Sequence, residues 1–199
     1  MMKKLRRSQT KAGLKKIAPL MLLLMLISLM TGCGGYKNPV KNCCKAIQDF
    51  DEVEVAEILD KDWVTEEVSS EFKEDCEYYY NFLKKQNKKI KYKITEIDKK
   101  ESGTWVKVEF KYVDASEAFD DALERTQKYL VKTERQLSDS EIIDLSAEYF
   151  DDSLKDIGTE MEEIIIDFHC VKEDGKWEID DVNSLYNLKK VLYCNMGLY

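Results

Sequence analysis

Proline and glycine are scarce in this chain, two and eight among 199 residues. That scarcity excludes a collagen-like rod and a Pro/Gly-rich disordered tail, and 44% hydrophobic residues supply material for a packed core. Histidine is scarcer still: His169 stands alone, and no Cys-x-x-Cys pair supplies further ligands, so no zinc site is expected. The Gly-x-Ser-x-Gly elbow, the phosphate-binding P-loop and the dinucleotide fingerprint are missing, and no cofactor is expected. Acidic pairs such as Asp151-Asp152 and Asp180-Asp181 lack the spacing of a calcium loop, which ends in a twelfth-position Glu. Basic charge is also short once the chain is divided. Lys3, Lys4, Arg6, Arg7, Lys11, Lys15 and Lys16 all fall in the first 32 residues, which hold no acid. Of 31 Lys+Arg, 24 remain against all 39 Asp+Glu, a formal −15 beyond residue 32. Phosphate backbones need a basic surface, so a general nucleic-acid binder is excluded. Long apolar runs are lacking too. The longest, Leu20 to Met30, has eleven residues and cannot cross a hydrocarbon core of about 30 Å.

A basic flank followed by a short apolar run is the pattern of a secretory signal. The run ends in Met30-Thr31-Gly32-Cys33, followed by Gly34-Gly35. Small residues before a cysteine resemble the lipobox of bacterial lipoproteins, with Met30 where that family most often has Leu. The resemblance implies cleavage between Gly32 and Cys33 and diacylglycerol on the Cys33 thiol. A diacyl anchor supplies two chains, enough for stable attachment. The expected location is the cell membrane, facing outside the cytoplasm. Arg6-Arg7 hints at twin-arginine export, but Ser8, Gln9 and Thr10 lack the apolar residues of that motif.

Beyond a lipidated tether (33–38), hydrophobic spacing divides the chain into segments. Val40, Cys43/Cys44, Ile47 and Phe50 recur at helical period, and Val53 to Leu59 reads as a second helix. Thr65 or Ser69 caps a longer helix with the stripe Val68, Phe72, Cys76, Tyr79 and Phe82/Leu83. The period then becomes two: Ile90, Tyr92 and Ile94 alternate with Lys91, Lys93 and Thr95, and Val106, Val108, Phe110 and Tyr112 with Lys107, Glu109 and Lys111. This predicts a hairpin with one buried and one wet face. Asp114 or Ser116 opens a helix, and Ser138 to Glu141 is a capping-box pattern opening another. Ile164 to Val171 and Trp177 to Asp180 flank an Asp174-Gly175 hairpin turn, and Leu185, Leu188 and Val191/Leu192 mark a last helix. No linker interrupts 39–199, which reads as one domain.

The lipobox, the N-terminal helices, the hairpin, the two-helix insertion (116–157) and the segment Lys172-Glu-Asp-Gly-Lys-Trp-Glu-Ile-Asp-Asp181 together resemble a large group of mostly uncharacterised Gram-positive lipoproteins. These are similar to the cystatin-like α+β roll of nuclear transport factor two relatives. The resemblance implies an α+β domain whose N-terminal helices pack on a curved antiparallel sheet that can leave a conical pocket. That fold also hosts isomerases and dehydratases, which need a buried carboxylate or histidine in an apolar cone.

Tyr79, with Tyr92, Phe110, Tyr112 and Trp177 on inward strand positions, are candidates to line a ligand cavity; the competing reading is aromatic core. On the strand from Ile164, alternation puts His169 on the outer face beside Asp167, a pair that could act as base and orienter but would lack a water-excluded cleft. Lys84, Lys85, Lys88, Lys89, Lys91 and Lys93 crowd ten residues. They suit anionic headgroups or wall polymers, or else protect a strand edge. Without Cys33 an odd set remains, Cys43, Cys44, Cys76, Cys170 and Cys194, whose pairing the sequence leaves open. The functional expectation is a membrane-anchored binding or interaction module, not an enzyme, that meets envelope proteins or wall polymers and no nucleic acid. A pocket enzyme on the same fold is the alternative.

Overall fold

Capping and turn chemistry start and stop the elements of this chain. The structure, a computed structural model, describes residues 35–133 and 136–198. Its elements in chain order are α1 (Lys37–Asp49), α2 (Glu52–Ile58), α3 (Glu66–Asp75), α4 (Glu77–Asn87), β1 (Lys91–Lys100), β2 (Gly103–Asp114), α5 (Ser116–Lys132), α6 (Asp139–Asp156), β3 (Glu160–Glu173), β4 (Lys176–Val182) and α7 (Leu185–Leu192). Asp51, Thr65 and Ser184 cap α2, α3 and α7 by accepting from Glu54 N, Val68 N and Asn187 N. Ser138 and Glu141 form the reciprocal capping box at α6. Asp174 (φ 47°) and Gly175 (φ 85°) both take the left-handed backbone that a two-residue hairpin turn requires.

Two elements differ from their sequence pattern. The single helix expected after Thr65 is two helices, because the backbone leaves helical geometry at Cys76 (φ −121°, ψ 43°). The break re-aims the chain: α3 buries none of its residues and Val68 is 53% exposed, whereas α4 buries Tyr79 and Leu83. The first hairpin is longer than its alternation implied, joined only by Glu101 and Ser102. A bulge between Ile94 and Glu96 shifts the register so that Ile97 meets Val106 on the buried side.

The four strands pair antiparallel in the order β1-β2-β3-β4, with α5 and α6 inserted between β2 and β3, so the architecture is α+β. Val106, Val108, Phe110, Tyr112, Ile166, Phe168 and Cys170 are buried on one face, against which α1, α4 and α7 pack. Burying such side chains contributes roughly 1.5–3 kcal/mol each. The α5–α6 hairpin docks on α4 through aromatic edges: Phe150 lies 5.0 Å from Phe82 and 5.5 Å from Tyr79 between ring centroids, and Tyr79 lies 5.7 Å from Phe119. Fully buried Asn87 ties three helices together. Its Nδ2 donates to Ile47 O (3.1 Å) and Leu192 O (2.9 Å), and its Oδ1 accepts from the Cys194 thiol. Tyr36–Tyr199 forms one compact unit. Among the described residues, no helix is long and apolar enough to cross a membrane.

Candidate functional site

Gly32 and Cys33, the expected cleavage and lipid-attachment positions, lie outside the described residues. The five aromatics expected to share a cavity do not converge. Tyr79 belongs to the α4–α5–α6 cluster, where its hydroxyl lies 2.7 Å from Ser146 Oγ. Tyr92 and Phe110 neighbour one another across β1 and β2, with centroids 6.3 Å apart. Tyr112 sits opposite Glu162 near one end of β3, and Trp177 sits opposite Lys172 near the other. Ten strand steps separate those positions, about 33 Å at the usual rise. Tyr79, Phe110 and Tyr112 are buried in the core, where burial raises the Tyr79 hydroxyl pKa and, helped by Asp114 and Glu162, pushes that of Tyr112 up to about 12. Alternation read the strand faces correctly, and the cavity reading fails because positions on one face can be a whole sheet apart.

The opposite sheet face is open. Ile165 is 51% exposed, and cross-strand ion pairs run along this face: Lys107 with Glu96, and Lys111 with Glu163 (3.0 Å). A cleft of about 350 Å³ indents it, lined by Glu96, Asp98, Lys100, Trp105, Lys107, Asp167 and Asn183. Asn183 holds Asp167 in place from both sides, accepting from its backbone N (3.0 Å) and donating Nδ2 to its Oδ2 (3.1 Å). Sequence pattern could not find this cleft, because β4 brings Asn183 beside a residue sixteen positions earlier.

His169 lies on this outer face as alternation predicts, but its partner is Asp180. Nδ1 is 2.9 Å from Asp180 Oδ2, because a bulge between His169 and Cys170 pushes an extra β4 residue toward the ring. A carboxylate only accepts, so the neutral ring carries its proton on Nδ1. One ring face stacks on Trp105 at 4.7 Å between centroids, and Nε2 is shielded from solvent without a hydrogen-bond partner. Nε2 presses on Gly103, where an added Cβ would meet it at 2.5 Å. The nitrogen that would have to reach a substrate proton is sealed against backbone.

The other nucleophiles are also withdrawn. Cys43, Cys44, Cys76, Cys170 and Cys194 are free thiols. Burial pushes Cys43, Cys170 and Cys194 up to about 12, and it raises Cys44 as well. Cys76 is only half-buried, with its pKa raised by burial and then by Asp75. The buried carboxylate of Glu52 is taken up by the Tyr193 hydroxyl, which donates to it at 2.8 Å. Among the described residues, no three His, Cys, Asp or Glu side chains converge as metal ligands.

Two further surface features remain. A groove of about 490 Å³ between α1, α2 and β4 is rimmed by Glu57, Asp60, Glu173, Glu178 and Asp180, with Trp177 in its wall. Lys84, Lys85, Lys88, Lys89, Lys91 and Lys93 are all exposed, running from the last turns of α4 into β1. Compared with protein-family models, curated proteins and solved structures, the chain finds no match in any of the three.

Proposed function

We propose that this protein is a membrane-anchored extracytoplasmic lipoprotein whose domain, residues 39–199, acts as a binding or interaction module rather than as an enzyme. The observation that carries the reading is Met30-Thr31-Gly32-Cys33, placed directly behind a basic flank and an eleven-residue apolar run. Cleavage after Gly32 would leave Cys33 as the first residue, with diacylglycerol on its thiol holding the chain at the cell membrane. With its formal −15 the mature chain is repelled by an anionic bilayer, so the lipid and not the surface charge must retain it. Four helices ahead of an antiparallel sheet, with one face covered and one open, suit a cystatin-like roll that offers its uncovered side to envelope proteins or wall polymers.

A binding role also accords with the chemistry of the domain. Its thiols are protonated and mostly buried, and the His169 ring is locked between Asp180, Trp105 and Gly103. Replacing Cys33 by Ala tests the anchor. The expected outcome is a protein that keeps its leader and incorporates no labelled fatty acid. Cleavage and fatty-acid labelling that are unchanged in Cys33→Ala would overturn the lipoprotein reading.

A further inference from the structure

Six lysines in the ten residues Lys84 to Lys93 are an anomaly on a domain with formal charge −15. Among the described residues, Lys100, Lys107, Lys111, Arg125, Lys128 and Lys155 find carboxylate partners, while lysines such as Lys37, Lys61, Lys73 and Lys176 do not, so density rather than pairing sets the six apart. Among the described residues, none of the six makes an ion pair; Lys89 donates to Gln86 Oε1 and Lys84 lies 5.6 Å over the Tyr80 ring. Complementing the α4 dipole accounts for Lys84 and Lys85, and guarding a strand edge accounts for Lys91 and Lys93. Neither accounts for Lys88 and Lys89, or for six cations within ten residues.

The position of this cap relative to the anchor follows from two rulers within the domain. The chain enters at Tyr36, whose ring lies 5.4 Å from Lys99 Nζ and 5.5 Å from the Trp177 ring. From there α1 runs to the far end of β1, where Gln48 Nε2 donates to Ile90 O at 2.7 Å. The thirteen residues of α1 span about 20 Å. Lys91 to Lys99, eight steps along β1, span about 26 Å. Cys33 is three residues before Tyr36, at most about 11 Å of chain. The chain's entry at Tyr36 and the lysine cap are therefore at opposite ends of the sheet, about 20–26 Å apart, and a tether of about 11 Å still leaves at least about one Debye length at physiological salt. A bilayer's surface potential has decayed at that distance. Laying the domain along its β1 edge would bring the cap down together with exposed Lys99 and Lys100, but with Glu96, Asp98 and Glu101 between and beside them.

We infer that Lys84, Lys85, Lys88, Lys89, Lys91 and Lys93 form a membrane-distal docking surface for a phosphate-bearing polymer outside the membrane. This inference rests on the anchored reading above for its orientation, and on the unpaired lysines for its chemistry. Same-face lysines recur here about 6–7 Å apart, at i and i+4 across the end of α4 and at i and i+2 on β1. A line of repeated cations is met by a repeating polyanion better than by a single ion, and Lys serves phosphate as a mobile point charge.

The test uses the lipidated protein in phosphatidylcholine vesicles, with linear inorganic polyphosphate as the probe. Saturable binding that weakens with salt is expected. Lys84→Glu, Lys88→Glu, Lys91→Glu and Lys93→Glu combined should weaken it tenfold or more and lower the log–log salt slope by about 3. The thermal midpoint should hold, since all four side chains are exposed. The same four positions changed to Gln, which removes charge without reversing it, must also lose affinity. Wild-type binding that is absent, or unchanged in both variants, would overturn the proposal. A second arm labels lysine amines in vesicles with and without anionic phosphatidylglycerol. Equal labelling of the six supports the outward cap, whereas protection in the anionic vesicles makes the bilayer the occupant and overturns it. A chain beginning at Gly34, which has neither the basic leader nor the anchor, must bind polyphosphate as the lipidated protein does. The cap therefore fails in the binding arm, and the anchor fails in fatty-acid labelling.

Discussion

Gly103 shows how much one residue without a side chain decides. Its φ of 146° disfavours other residues, and an added Cβ would meet His169 Nε2 at 2.5 Å and Cys170 O at 2.8 Å. The close approach lets the imidazole lie flat beneath Trp105 and reach Asp180. Gly103→Ala should destabilise the fold by about 2 kcal/mol or more, read as a lower urea midpoint. Adding His169→Ala should restore only part of that loss, because the Cys170 carbonyl belongs to the backbone and stays in place. Full restoration would mean that the contact with the ring, not the backbone, sets the constraint. Sequence alternation put His169 on the outer face but paired it with Asp167, two residues away. The pairing with Asp180 depends on a bulge in the next strand, which no local pattern displays.

At the scale of elements, the signals with a local cause were legible. The capping box at Ser138 and Glu141 needs only four consecutive residues, and it forms as read. Ser138→Ala should cost about 1 kcal/mol, as a proportionate drop in thermal midpoint, since it removes an acceptor from the first turn of α6. No change would show that packing of Phe150 against α4 holds that helix unaided. The Asp174-Gly175 turn was legible for the same reason: its backbone requirement is written in its own two residues. The break between α3 and α4 was not. A stripe from Val68 to Leu83 keeps helical period across Cys76, but the docking of Tyr79 against Phe119 and Phe150 redirects the chain there. The five-aromatic cavity failed similarly, since period assigns a face and says nothing of distance along it.

At the scale of the whole molecule, the buried thiols make stability depend on alkaline pH. Cys43, Cys170 and Cys194 move from the ordinary 9.0 to about 12 in the fold, chiefly through burial. Between those values the unfolded chain has released protons that the native chain still holds, so unfolding is favoured as pH rises. The stabilisation is complete below pH 9 and is lost progressively toward 12. The urea midpoint should fall steadily from pH 9 to 11, while a Cys194→Ala variant, less stable at neutral pH, should show a shallower fall. A midpoint flat across that range would mean that the thiols are more exposed than the fold places them.

The sequence alone determined the charge division, the Met30-to-Cys33 motif, the α+β class and the element order apart from the break at Cys76, because each depends on composition or on spacing within a few residues. It also placed the strand faces wherever no bulge interrupts the period of two. Only the tertiary structure decided what those faces meet. Packing filled the inner face with aromatics, brought Asn183 to Asp167 and Asp180 to His169, and set the lysine cap and the chain's entry at opposite ends of β1. Those outcomes depend on register, bulges and helix length acting together over the whole sheet, which is the range that local pattern does not encode.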